Sequence, residues 1–236
     1  MALPKLETPK HSCFLPTNGK RVNYRPFLVG EQKQLLIAQE GEDVQNQVDE
    51  MIRLINVCCD DVKAEMLPII DLEYLFLQLR MKSVGESSDV MMICESCEAE
   101  TELSINLEDA KVIETEPKID SIVKLNDAVS IELQYPSFGM MEHLDPNEPE
   151  LNTEGVFEVM TKCIVSIING DEVFTRDDFS EKELVEFLDQ LELTMFNKVN
   201  EFFNNAPVLT IDANFKCSSC DINNENKLEG VGSFFG

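Results

Sequence analysis

Tryptophan is absent from this chain, tyrosine occurs three times and histidine twice. With so few rings, a stacking platform for single-stranded nucleic acid is poorly supplied. The two histidines, His11 and His143, sit in unrelated contexts and complete no Ser–His–Asp or Cys–His set. Basic residues are also scarce: 19 Lys and Arg stand against 45 Asp and Glu, a formal net charge of −26. A surface this acidic repels phosphates, which argues against nucleic acid and anionic membranes as partners. A basic protein surface is its natural complement. No apolar run approaches the length of a transmembrane helix. The N-terminal MALPKLETPKHSC has no apolar core and no cleavage site, so no secretory leader is expected and the cytosol is the expected compartment. P-loop, GxGxxG and HExxH patterns are missing. Carboxylates are everywhere and mark no particular place, so solvated faces are their default role. The expectation is a protein that is not an enzyme and has no small-molecule substrate.

What is present suffices for a core. Apolar residues make up 43% of 236 positions, which suits one domain or two small ones and excludes a wholly disordered chain. The periodicities predict an α+β fold. Asn18-Gly19 signals a tight turn between extended segments. Helices are predicted over 30–38, 44–58 and 71–84, the last with Asp71 as a cap and Leu72, Leu75, Phe76 and Leu79 as its buried stripe. Strands are predicted at Val90–Ile93, Leu103–Leu107 and 122–135, with 108–120 as an acidic connector. A short helix at 140–144 and a loop at 145–154 follow. Helices are then predicted over 155–168, from Ser180 with Glu183 completing a capping box, and over 193–203. A strand at 208–215 comes last.

Displaced by 109 residues, the sequence aligns loosely with itself: Gly30 meets Gly139, Met51 meets Met160, Ile55 meets Ile164 and Leu75 meets Leu184. Displaced by 123, Cys94 and Cys97 meet Cys217 and Cys220. Each half then reads strand, helices, strand, CxxC. This order predicts two pseudo-repeated halves, 1–110 and 111–236, packed as one compact unit.

The two CxxC pairs carry the most specific chemistry. A Cys-x-x-Cys turn brings two thiolates to one Zn²⁺, and two such knuckles complete a closed tetrahedral site. Cys94, Cys97, Cys217 and Cys220 are therefore the expected ligands of one structural zinc, a zinc-ribbon-like clasp between the halves. A redox-active CxxC would sit at a helix start, whereas these lie between strands. Cys58, Cys59 and Cys163 lie on apolar helix faces and read as small core residues. At the C-terminus, Phe234-Phe235 follows two glycines and is a candidate docking tail for a partner, the other outcome being that it packs on the chain's own core.

Three stretches carry a family resemblance: FLPTNGKRVNYRPF near the start, IIDLEYLFLQLRMKSVGE ahead of CESC, and FFNNAPVLTIDANFKCSSC with the closing LEGVGSFFG. They resemble the baseplate hub proteins of T4-like contractile-tailed bacteriophages, described as hub subunits or hub assembly chaperones. The resemblance implies a non-enzymatic viral protein that acts on the central hub, beside other hub proteins and the tape-measure protein. It implies the host cytoplasm during assembly, and the virion tail for a permanent subunit. It brings no catalytic residues with it.

Overall fold

The computed structural model describes residues 7–41, 44–114, 120–141 and 153–235. The Asn18-Gly19 turn forms as predicted: β1 (His11–Phe14) pairs antiparallel with β2 (Arg21–Tyr24), and Gly19 takes the left-handed φ of +67° that the turn needs. Alternation sends Cys13, Leu15, Val22 and Tyr24 inward. α1 (Val29–Glu40) begins where the Glu31 carboxylate accepts the Leu28 N–H at 2.7 Å. Arg25 clamps the same carboxylate through bonds of 2.7 and 2.9 Å, which holds Glu31 below the usual carboxylate range.

α2 (Val44–Cys58) matches its predicted span. α3 (Ile69–Ser83) starts two residues before Asp71, so Asp71 is not its cap. Asp71 is instead fully buried and accepts the Thr17 N–H at 3.0 Å and the Thr17 hydroxyl at 2.5 Å, tying the first turn to α3. Burial raises its carboxyl above the ordinary range, against the pull of those two bonds.

β3 (Ser87–Ile93) and β4 (Glu100–Asn106) form a hairpin. β5 (Lys111–Ile113) lies inside the predicted connector. β6 (Ile122–Lys124) and β7 (Val129–Leu133) split the predicted strand 122–135. Phe138–Met140 is a single 3₁₀ turn, and residues 142–152, with His143 and most of the predicted helix and loop there, lie outside the described residues. α4 (Thr153–Lys162) ends six residues earlier than predicted. Ile164 to Ile168 is β-branched at every position but Ser166, and Asn169-Gly170 after it makes a tight turn with Gly170 at φ +61°. That run is β8 (Ile164–Asn169), paired with β9 (Glu172–Thr175). α5 (Glu181–Asp189) opens with the expected capping box of Ser180 and Glu183. α6 (Leu193–Asn204), β10 (Val208–Asp212), β11 (Phe215–Lys216), β12 (Asn223–Asn224) and β13 (Lys227–Glu229) complete the chain.

Two compact units result: Met1–Ala64, Ile70–Ile113 and Val208–Gly236 in the first, Glu65–Ile69 and Glu114–Pro207 in the second. The chain makes a short excursion into the second unit at Glu65–Ile69, enters it again at Glu114, and returns to the first unit at Val208. The cause is β10, which pairs with β5 on one side and β13 on the other, setting Leu209 opposite Val112 and Ile211 opposite Leu228. The first unit's buried apolar residues include Leu54 and Ile55 of α2, Leu72, Leu75 and Leu79 of α3, and Leu209 and Ile211 of β10. Each buried side chain of this size contributes about 2 kcal/mol of transfer free energy. The second unit is the antiparallel sheet β6-β7-β8-β9, whose core side chains Ile131, Ile164 and Ile167 cluster with Leu184, Leu188, Val199 and Phe202 of α5 and α6. Tyr135 stacks on Phe202 at 4.7 Å.

Candidate metal centre

Two tight turns build the site. In the first, Cys94 N–H donates to the Ala99 carbonyl at 3.0 Å and Glu98 N–H to the Cys94 carbonyl at 2.9 Å. In the second, Cys217 N–H donates to the Ile222 carbonyl at 2.9 Å and Asp221 N–H to the Cys217 carbonyl at 3.1 Å. Glu98 and Asp221, each next after its second cysteine, take left-handed φ of +57° and +59°. Such a conformation in a residue with a side chain costs of order 1 kcal/mol, and the surrounding turn must impose it. The two knuckles thus share one backbone pattern at the displacement of 123 residues seen in the sequence.

The turns bring the four sulfurs together. Cys94 Sγ lies 3.7 Å from Cys220 Sγ, Cys97 Sγ lies 3.6 Å from Cys217 Sγ, and all four fall within 4.8 Å of one another. A disulfide would need about 2.05 Å. Four sulfurs at about 2.3 Å from one Zn²⁺ stand about 3.8 Å apart on a tetrahedron, so the spacing fits a shared metal. All four ligands belong to the first unit. The site therefore joins two segments that are distant in sequence, one from each of the stretches 1–110 and 111–236, within a single compact unit. It would bind the ion as a closed Cys₄ set, leaving no coordination position for substrate.

Backbone donors prepare two of the four thiolates. The Ser96 N–H, helped by the Cys97 N–H and the Asn224 side chain, holds the Cys94 thiol down to about 6. The Cys220 and Ser219 N–H groups lower Cys217 in the same way, the latter at 3.4 Å from its sulfur. Cys94 and Cys217 are buried, whereas Cys97 is exposed and Cys220 intermediate, so one edge of the cluster meets solvent.

Asn224 was not marked by any sequence signal. It is buried, and its amide spans the two knuckles: Oδ1 accepts the Glu95 N–H at 3.1 Å, while Nδ2 donates to Cys94 Sγ at 3.5 Å and to the Ile222 carbonyl at 3.2 Å. A group that fixes a ligand from outside the coordination shell in this way commonly controls metal affinity.

The remaining cysteines are core residues. Burial pushes the thiols of Cys13 and Cys58 up to about 11 and those of Cys59 and Cys163 up to about 12. The tail takes the second of its two expected outcomes. Phe234 is fully buried, and Phe235 meets Phe76 edge-on at 5.9 Å with the Arg80 guanidinium 5.5 Å from its ring, so Phe234 is not available to a partner. Gly230, at φ +73°, lets the tail turn in, and Val231 N–H donates to the Glu73 carboxylate at 3.2 Å.

Among the described residues no helix is long and apolar enough to cross a membrane. The class this chain falls into is that of phage tail structural proteins. It belongs to the family described as T4 bacteriophage base plate protein, whose model matches residues 8–236. No curated protein and no solved structure matches it. Membership ties its role to the tail baseplate, among other phage structural proteins.

Proposed function

We propose that this baseplate protein is a hub assembly chaperone without enzymatic activity, which holds another hub protein or the tape-measure protein in the host cytoplasm until installation. The observation that carries this reading is the net charge of −26 in a member of a baseplate family. Such a surface captures a basic partner quickly and shields it from premature association. A permanent hub subunit is the second reading. It is favoured by apolar side chains left exposed on the first unit, Val29, Met91 and Ile93 among them. A zinc-ribbon regulator of nucleic acid is a distant third, because such a protein needs a basic face.

We infer one structural zinc at Cys94, Cys97, Cys217 and Cys220. The internal alignment has an echo in the fold: Arg25 N–H donates to the carbonyl of Cys58 at the end of α2, and Gln134, displaced by 109 residues, to that of Cys163 just past α4. This supports a pseudo-repeat. The test of function is quantitative mass spectrometry of mature particles beside infected-cell lysate. Presence in lysate with absence from particles is the expected result; stoichiometric presence in particles would replace the chaperone reading by the subunit one. The captured complex should weaken steeply between low and high salt, and salt-insensitive binding would remove the electrostatic mechanism.

A further inference from the structure

A cavity of about 170 Å³ opens in the first unit between α1, the C-terminal half of α3 and the tail. Its wall is mixed: Leu35, Leu36, Phe76 and Phe235 are apolar, and Gln32 and Gln39 are polar. Arg80 is the one charged residue lining it. One guanidinium N–H donates to the Gly85 carbonyl at 3.2 Å, and the group lies against the Phe235 ring. Among the described residues no carboxylate lies within 4 Å of it, although the chain carries 45 acidic residues and Arg25, Arg53 and Arg176 each have one. Its remaining N–H groups face no carboxylate among the described residues, so an incoming anion finds donors ready. The size of the cavity limits what arrives. It is smaller than the roughly 300 Å³ at which small-molecule pockets begin, and suits a single large side chain. At its mouth Leu36 and Val84 are half-exposed, so an entering group would cover apolar surface.

We propose that this cavity is the anchor site for a segment of a partner protein that presents a carboxylate beside an aromatic or long aliphatic side chain. The apolar side chain fills the cavity, and the carboxylate pairs with the Arg80 guanidinium, whose fork accepts it through two parallel bonds. The rest of the surface narrows the choice. A chain of net charge −26 repels a run of acids, so the segment carries a lone acid among neutral or basic neighbours. This goes beyond the assembly role and depends on neither the metal nor the chaperone reading.

The test uses the full chain and N-acetylphenylalanine as probe, with its amide as the uncharged control. Methyl NMR shifts of Leu35, Leu36 and Val84 report binding. The expected result is saturable shifts at these methyls, with the amide at least about tenfold weaker. Arg80→Gln should reduce the acid to the level of the amide. Leu36→Glu changes a half-exposed side chain, leaves the core intact and should also weaken the acid, by competing for Arg80 and repelling the probe. Equal binding of acid and amide, or no shift at these methyls with either, would overturn the proposal. So would binding that appears only when Gly236 is removed, since the chain's own end would then be the occupant. Shifts at these methyls that grow with protein concentration alone would overturn it in favour of a second copy of the chain.

Discussion

Replacing Cys217 by Ser is expected to cost the first unit about 4–5 kcal/mol together with its metal. The magnitude follows from the chain that the site closes. Cys97 and Cys217 are separated by 119 residues. A cross-link over a loop of roughly 100 residues removes about 4.7 kcal/mol of chain entropy from the unfolded state, and a metal clip acts on the same loop as a disulfide would. Little local structure replaces it, because β11 and β12 share two residue pairs, whereas β3 and β4 share seven. The second knuckle should therefore loosen first. Metal content by elemental mass spectrometry and unfolding by calorimetry, with and without chelator, make the assay. The native chain should hold about one zinc. Cys94→Ser and Cys217→Ser should hold almost none, and their first unit should melt on the order of 10 °C lower. Cys163→Ala, in the second unit, should keep its zinc. Full zinc content in both serine variants, or melting unmoved by the chelator, would refute the shared site. Two zincs per chain would refute it as well, since each knuckle would then recruit ligands from elsewhere.

The other expectations are briefer. Phe234→Ala should cost about 3–5 kcal/mol in urea unfolding, because the ring is fully buried, while Phe235→Ala should cost less than about 1.5; equal costs would contradict the tail's docking. Asp71 titrates above its ordinary value of 3.8 when folded, so the native state holds a proton that the unfolded chain releases. Its contribution is present below the unfolded value and lost as pH rises through the folded one. Stability relative to Asp71→Asn should therefore increase as pH falls from 7 toward 4, and a parallel pH profile for the two proteins would sink that assignment. With iodoacetamide at pH 8, the four clustered cysteines should react only after chelation, and Cys13, Cys58, Cys59 and Cys163 only on unfolding; labelling of Cys94 in the metal-loaded protein would count against the thiolate site.

The cysteine cluster was legible because its signal is local and double. Each CxxC specifies its own turn, and the displacement of 123 residues that aligns them in sequence also aligns their hydrogen bonds. The helix α5 was legible because it buries one stripe at helical spacing, Leu184 and Leu188, and α3 because its apolar positions recur over 15 residues, although it buries more than the stripe predicted. Which unit receives the second knuckle was not, because it is decided by β10 pairing with the three-residue β5, a contact between residues nearly a hundred positions apart. Periodicity was misleading at Ile164–Ile168, where an apolar run fits a buried helix or strand equally well. The Asn169-Gly170 turn that follows was the signal that could have decided it. Asn224 and Arg80 were hidden for another reason: their roles come from what the fold places beside them, not from their neighbours in sequence.

The discontinuity of the first unit bears on how the protein is made. A ribosome completes Cys94 and Cys97, then the bulk of the second unit, and only then Cys217 and Cys220. At roughly 5–20 residues per second the gap is on the order of ten seconds. Over that interval the second unit's sheet and helices acquire their residues, while the first knuckle waits with two thiols and no partner. A metal bound there would enter late, after Cys217 and Cys220 have been added: a product cut short before β10 would expose a half-built site and an unpaired edge on β5.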